Sequence, residues 1–440
     1  MKKYVITLST ICISLLVFFQ CSLGNRQGIL LGTYRKVVLV GSSEKIEASI
    51  PVAQNLFWYS SDASTVHVSP SGVIKGISSG SAVIHVRTEN SGYKASCHVT
   101  VVTAIPRNII LFIGDGMGPE QVKAAGMFKN GVSGSLIFET LDYTNTMTTY
   151  SASSGITDSA ASATAMATGN KVNNGVISTA IPGDSSELET VLELLKQKGK
   201  STGLVTTTHI TNATPACFGA HEYHRSNYDE IAVDYVNGSK PNVLFGGGGF
   251  GISDTMTDSV GYHTVTNKTA FESIDPSVYD YVSALFGTDN LPYMYDYPEP
   301  DAYPEPELSE MTQKALAILK QDPDGFFLLV EGGRIDHACH SNDLICAIYE
   351  TIEFEDAVTS ALQWMSGRND TVLIVTADHE TGGLTVIKNN GAGNLPDVTW
   401  STGYHTGVEV PIYASGCDEN IIFGDFDNTH IYYTISDFFE

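Results

Sequence analysis

Between Glu331 and His340 the chain reads Glu-Gly-Gly-Arg-Ile-Asp-His-Ala-Cys-His, which places three hard or borderline metal ligands, Glu331, Asp336 and His340, within ten residues. Asp336 and His340 are four apart, so on a helical turn they face the same way. Imidazole nitrogen with carboxylate oxygen is a donor set that suits zinc, which keeps an open coordination position when it is catalytic. Asp115, Asp378, His379 and His405 extend that set, and with Asp336 and His340 they suffice for two zinc ions. A different chemistry is suggested at Asp158-Ser159, which opens the Ala-rich stretch Thr157 to Ala165. Such a stretch favours helix, and the amide dipoles at its N-terminus favour an anion. Alone, each feature has a bland explanation: an Asp after a strand or before a helix is usually a cap, and a single His is usually a core or surface residue.

The elements that carry these residues change the weighing. Four apolar runs end in polar clusters: Asn108–Ile113 at Gly114-Asp115-Gly116, Gly203–Thr207 at His209, Asn212 and Thr214, Phe326–Val330 at Glu331, and Thr371–Val375 at Asp378-His379. Continuous apolar strands alternating with helices predict a mostly parallel sheet covered on both faces. The carboxyl ends of such strands share one edge, so the clusters are expected to meet there. A helix is predicted with Ser186 as N-cap and Glu189 closing a capping box, its apolar stripe running over Leu188, Val191, Leu192 and Leu195. Residues 246–306, rich in Gly, Tyr, Pro and Asp, read as an irregular insertion over one end of the sheet.

Ahead of this domain, Gly32 to Thr103 alternates short β-type runs with Ser/Gly turns, the texture of a small all-β sandwich. Trp58 to Asp62 followed by Val66 to Gly76 resembles the bacterial Ig-like group 2 domain, with Trp58 as buried core aromatic and Ser71-Gly72 as a turn. His67, His85 and His98 fall at strand positions and read as structural. Met1-Lys2-Lys3 and the apolar run Tyr4–Phe19 have the charge and length of an export signal. Phe19-Gln20-Cys21 is where a lipidated cysteine would sit, with simple cleavage or an uncleaved anchor as alternatives, since Gln20 is larger than the usual residue there. The resulting division is a signal at 1–21, an Ig-like domain at 32–104 and a catalytic domain at 106–440. Without Cys12 and Cys21 five cysteines remain, an odd number that implies no disulfide framework.

Six motifs follow one another from Asn108 to about Gly416: LFIGDGMG, TDSAASATAMATG, NATPACFGAHEYHR, VEGGRIDHACH, VTADHETGG and HTG. In order and internal spacing they resemble those of alkaline phosphatases. The resemblance implies a three-layer α/β/α sandwich with a central, mostly parallel sheet. It implies Ser159 as nucleophile, Arg225 as phosphate clamp, and two zinc ions with one magnesium ion. Asp336, His340 and His405 would hold the first zinc; Asp115, Asp378 and His379 the second; Asp115, Thr214 and Glu331 the magnesium. Phosphate monoesters would be cleaved in two in-line displacements through a phosphoserine. Asp158, Asn212 and His337 would lie just outside the ligands. Asn212 departs from the family, whose better-known members carry an acidic residue or His there, which puts magnesium affinity in question. His337 stands where some bacterial members have Lys, and a place near the phosphate is expected for it. His209, His221 and His224 read as structural or peripheral. A homodimer is common in the family, although the added β domain bears on that interface.

Composition narrows the function further. A chain of 440 residues with 42% hydrophobic and 17% charged residues is globular and larger than one core usually serves. A net charge of −25 with only 24 Lys and Arg excludes a nucleic-acid-binding surface. The resemblance to alkaline phosphatases implies small phosphate monoesters as substrates. Ser159-Ala160-Ala161-Ser162-Ala163 lacks the Pro and Arg of a sulfatase. Two alternatives remain: a phosphodiesterase of the same superfamily, which typically uses Thr and lacks the magnesium site, and a non-enzymatic surface binding or adhesion protein. Periplasm or cell envelope is the expected location, with attachment to the membrane if Cys21 is lipidated.

Overall fold

Runs that are apolar at every position belong in a sheet covered on both faces, and Asn108–Gly114, Phe326–Gly332 and Thr371–Ala377 are buried along their whole length. In the computed structural model, which describes residues 28–50, 54–89, 92–297, 302–417 and 426–439, these three strands form the centre of a ten-stranded sheet. Across the sheet the order is His263–Val265, Val282–Phe286, Val243–Gly247, Ser201–His209, Phe326–Gly332, Asn108–Gly114, Thr371–Ala377, Val410–Gly416, Tyr143–Thr148 and Phe426–Asp427. The first seven are parallel, and Val410–Gly416 is antiparallel to both of its neighbours. Register sets Gly114 beside both Gly332 and Ala377, and Thr206 beside Glu331. The segments that follow these strands therefore leave the sheet along one edge.

Helices fall into two groups that cover the two faces. Pro119–Asn130, Leu308–Leu319 and Leu344–Met365 pack together, and Ser159–Thr168, Val191–Gln197, Ala213–Gly219 and Thr429–Ser436 form the other layer. Among the described residues no helix is long and apolar enough to cross a membrane.

Two expectations need correcting. The helix predicted from Ser186 starts at Val191: Thr190 is its N-cap and Glu193 closes the capping box. Both sites carry the same Ser/Thr-x-x-Glu pattern, but Asp184 accepts from the Ser186 amide and hydroxyl, turning the backbone away from helix. The supposedly irregular segment 246–306 supplies the strands His263–Val265 and Val282–Phe286 and the helices Asp254–Ser259 and Lys268–Glu272. Such short strands show no period to read, because every residue of Val282–Phe286 is buried.

The N-terminal unit has a four-stranded sheet, Arg35–Leu39, Lys94–Val102, Gly80–Thr88 and Leu56–Ser60, and a three-stranded one, Ser43–Lys45, Val73–Gly76 and Val66–Val68. Val38, Ile46, Ile74, Ile84, Val86 and Val99 are among the buried residues of its core. Trp58 is half-buried against this core rather than inside it. Gly72, at φ +79°, brings the backbone under its ring, where a Cβ would come within 2.9 Å of the indole. Arg35 reaches the unit built on the ten-stranded sheet, pairing with Asp437 at 2.9 Å and stacking over Tyr433. The five described cysteines are all free, and residues 1–21, with Cys12 and Cys21, lie outside the described part.

Candidate active site

Each polar cluster is delivered by the end of a strand or the start of a helix. Asp115 follows Asn108–Gly114, and the turn beyond it passes through Gly116 at φ +71°. A Cβ on Gly116 would lie 2.9 Å from the Asp336 backbone and from Thr381 Oγ1, so only glycine admits the helix that carries Asp336. That helix, Arg334–His340, brings His340 Nε2 to 3.3 Å from Asp336 Oδ2. His405 Nε2 lies 3.1 Å from His340 Nε2 and 3.6 Å from Asp336 Oδ1. Beside them, His379 Nε2 stands 3.5 Å from Asp115 and 3.1 Å from Asp378 Oδ2. Asp336, His379 and His405 form one group whose ligand atoms lie within 4.8 Å of one another, and Asp115, Asp378 and His379 form a second.

Hydrogen bonds fix how the three imidazoles face this centre. His340 Nδ1 meets the Gly403 carbonyl at 2.8 Å and His405 Nδ1 the Thr157 carbonyl at 2.9 Å. A carbonyl only accepts, so both Nδ1 atoms carry hydrogen, and each ring, once its Nε2 is deprotonated, turns a lone pair inward. Thr381 Oγ1 donates to Asp336 Oδ1 at 2.5 Å and so accepts from His379 Nδ1 at 3.2 Å, leaving His379 Nε2 free in the same sense. Two such Nε2 atoms 3.1 Å apart repel unless a proton or a metal ion lies between them. Orphaned oxygens point the same way: Asp115 Oδ1, Asp378 Oδ2, Glu331 Oε1 and Thr214 Oγ1 are buried without a hydrogen-bond partner. The donor set therefore fits divalent metal ions.

Electrostatics agree. Burial, then the neighbouring carboxylates, hold Asp115 well above the ordinary carboxylate range. Burial followed by repulsion from Asp336 lifts Asp378 to about 8, and burial lifts Glu331 to about 7 against the hydroxyls of Thr206 and Thr208. Burial drives His379 well below its usual value. The bond to Asp336 raises His340 to about 9 and, together with three imidazoles, outweighs burial to keep Asp336 ionised. Four carboxylates packed this closely need cations.

Ser159 is buried at the first position of the helix Ser159–Thr168, with Oγ 3.3 Å from His379 Nε2. Asp158 is the N-cap, accepting from Ala161 N, and it also accepts from Gly175 N and pairs with Arg225 at 3.2 Å. Asn212 caps Ala213–Gly219 and accepts from Arg225 Nη2 at 3.3 Å, so it reaches the site through the guanidinium. Arg225 is thus held by Asp158 and Asn212 while its charge is felt at Asp115, Glu331 and His379. A guanidinium pre-set in this way would lose little side-chain entropy on binding an anion.

Sequence reading missed the partners of these groups. Arg334, which stacks over Tyr293 at 3.8 Å, donates to His337 Nδ1 at 2.8 Å, so neutral His337 carries its hydrogen on Nε2. Burial holds His337 near 4. Thr381 orients Asp336 and His379, and Thr206 grips Glu331. Their signals were present in VTADHETGG and in the threonine run Thr206–Thr208, but a hydroxyl announces no role until its partner is known. His209 stacks on Phe250 with its Nε2 3.4 Å from Asn212 Nδ2, and His224 bonds Ser226; neither belongs to the two metal-type groups.

The alkaline phosphatase family model matches residues 106–249 and 246–396. Alkaline phosphatase 3 of Bacillus subtilis is 34% identical over 412 residues, covering 74% of this chain and 87% of that protein. Streptomycin-6-phosphate phosphatase of Streptomyces griseus is 31% identical over 408 residues, covering 75% and 90%. The crystal structure of a cold-active alkaline phosphatase from the psychrophile Shewanella sp. superposes with a TM-score of 0.68 at 31% identity, covering 76% of this chain and all of that one. The chain belongs to the alkaline phosphatase family and is a hydrolase of phosphate monoesters.

Proposed function

We propose that Ser159 is the nucleophile of a two-zinc, one-magnesium phosphomonoesterase that works through a phosphoserine. The observation that carries this reading is the buried Ser159 hydroxyl, 3.3 Å from His379 Nε2 and beside carboxylate oxygens that have no partner within the chain. Asp336, His340 and His405 would hold one zinc, Asp115, Asp378 and His379 the other, and Asp115, Thr214 and Glu331 the magnesium. When bound, these ions neutralise the carboxylates and lower the pKa of oxygen nucleophiles. Arg225 binds the equatorial phosphoryl oxygens and orients the phosphorus toward Ser159 Oγ. Ser159 Oγ bonds to phosphorus as the ester P–O bond breaks, and its proton leaves with the alcohol. Water then attacks phosphorus from the vacated side, releasing inorganic phosphate and restoring the hydroxyl. Asp158 keeps the helix N-terminus capped and Arg225 in place throughout.

The streptomycin-6-phosphate phosphatase relative is named for a bulky phosphorylated alcohol. A phosphate gripped by Arg225 and metal ions leaves the alcohol outside, and we take the substrate class to be broad small monoesters. We also propose that residues 32–104 are an Ig-like spacer and that the chain is exported, with Cys21 as a lipid anchor and a homodimer as the assembled form. Turnover of p-nitrophenyl phosphate that is lost to a chelator, restored by zinc and magnesium, and absent in Ser159→Ala tests the central reading. Chelator-insensitive turnover, or a Ser159→Ala variant of wild-type activity, would overturn it.

A further inference from the structure

Asn428 lies beyond residues 106–396 matched to the family, in the turn between Phe426–Asp427 and the helix Thr429–Ser436, and it is fully buried. Lys171 Nζ donates to its Oδ1 at 2.6 Å, and its Nδ2 donates to Ser162 Oγ at 2.8 Å. Ser162 stands one turn after Ser159 on the same helix, and its Oγ donates to the Asp378 carbonyl at 2.7 Å. One chain of bonds thus runs from Lys171 through Asn428 and Ser162 to the residue before His379.

Chemistry fixes the direction of every bond in it. An ammonium only donates, so Asn428 turns its oxygen to Lys171 and its amide nitrogen to Ser162. The amide nitrogen also only donates, so Ser162 accepts it and gives its single proton to Asp378. Lys171 is anchored from the far side by Asp427 at 2.8 Å and the Tyr150 carbonyl at 2.6 Å, which holds the start of the relay still. We propose that Asn428 is a positioning residue for the hydrolytic reaction: through Ser162 it locks the helix that presents Ser159 to the turn that presents Asp378 and His379. The inference rests on the roles proposed above for Ser159 and Asp378.

Asn428→Asp keeps the shape and the Lys171 bond but puts an oxygen where the amide nitrogen was. The Ser162 proton then turns to residue 428 and the Asp378 carbonyl loses its donor. Ser162→Ala cuts the relay at its middle and leaves a good helix former in place. Each variant of the full-length, metal-loaded protein is expected to lower kcat about tenfold, to change KM less than about twofold, and to release zinc to a chelator severalfold faster. The double variant is expected to be no worse than Ser162→Ala alone, since both changes remove one link. Wild-type kcat and zinc retention in Asn428→Asp, or losses that multiply in the double variant, would overturn the inference. Should Asn428→Asp fail to fold, Ser162→Ala decides alone, and wild-type kcat with wild-type zinc retention overturns it. Ser159→Ala, made on a chain with Asn428 intact, separates failure of the underlying reading from failure of this one.

Discussion

Replacing Glu193 by Gln removes the charge that holds His221. His221 Nε2 lies 3.0 Å from Glu193 Oε1 and Nδ1 lies 2.9 Å from the Ser178 carbonyl, so the doubly protonated ring satisfies both acceptors. Burial pulls the imidazole down, but the bonds to Glu193 and Ser178 outweigh it and raise it from 6.5 to about 9. Because the folded value is above the unfolded one, this contribution is complete below about pH 6.5 and is lost as pH rises through 9. The shift corresponds to at most ~3.5 kcal/mol. Partial exposure of the two side chains, 9% and 23%, trims this to about 2 kcal/mol. Gln can still close the capping box by turning its oxygen to Thr190, which leaves its amide nitrogen facing His221, so the acceptor that favours the doubly protonated ring goes with the charge. Chemical unfolding of wild type and Glu193→Gln should therefore differ by about 2 kcal/mol at pH 6 and by almost nothing at pH 10. His221 begins the segment that ends at Arg225, so KM for p-nitrophenyl phosphate should rise in the variant at pH 7 while kcat changes little. A stability difference of the same size at pH 6 and pH 10 would refute the assigned protonation.

Asp158→Ala should cost about 1 kcal/mol of stability as a lost N-cap and raise KM about tenfold by freeing Arg225, read by thermal melts and steady-state kinetics. Chelation should destabilise the protein more at pH 9 than at pH 5. Raised folded values at Asp115, Glu331 and Asp378 mean that the metal-free protein loses stability as pH climbs from about 4 toward 8, and melts with and without chelator at the two pH values measure the gap. Asn212→Asp should weaken inhibition by inorganic phosphate severalfold, by drawing Arg225 back, and tighten magnesium about tenfold, as shown by phosphate inhibition constants and magnesium titration of activity.

Much of this site was legible because a parallel sheet advertises itself twice. Its strands are continuous apolar runs, and its chemistry sits immediately after them, so Asp115, Glu331 and Asp378-His379 could be read as neighbours without any contact being known. Asp158-Ser159 was legible only as a helix start, since a cap and a nucleophile need the same position. The roles of Arg334, Thr381 and Asn428 could not be read in this way, because each acts on partners set by tertiary closure: Asn428 meets Ser162 from 266 positions away. The strands within 246–306 were hidden for the opposite reason, being too short and too evenly buried to show a period. The misplaced helix start at Ser186 shows how a local pattern fails when two copies of it lie four residues apart and a neighbouring Asp184 captures one of them.

Orientation of the three imidazoles depends on three separate segments, and one of them ties His405 to Ser159, the proposed nucleophile. His340 is aimed by Gly403, His379 by Thr381, and His405 by the carbonyl of Thr157. Thr157 immediately precedes Asp158 and Ser159, so the peptide that orients the His405 ring also presents the Ser159 hydroxyl and, through Asp158, restrains Arg225. A shift of this peptide would turn His405, withdraw Ser159 and release Arg225 together. Buried carboxylates that repel one another until cations bind would gain from such coupling, since a metal ion held at His405 would then fix the segment on which the proposed nucleophile Ser159 and the proposed phosphate clamp Arg225 depend.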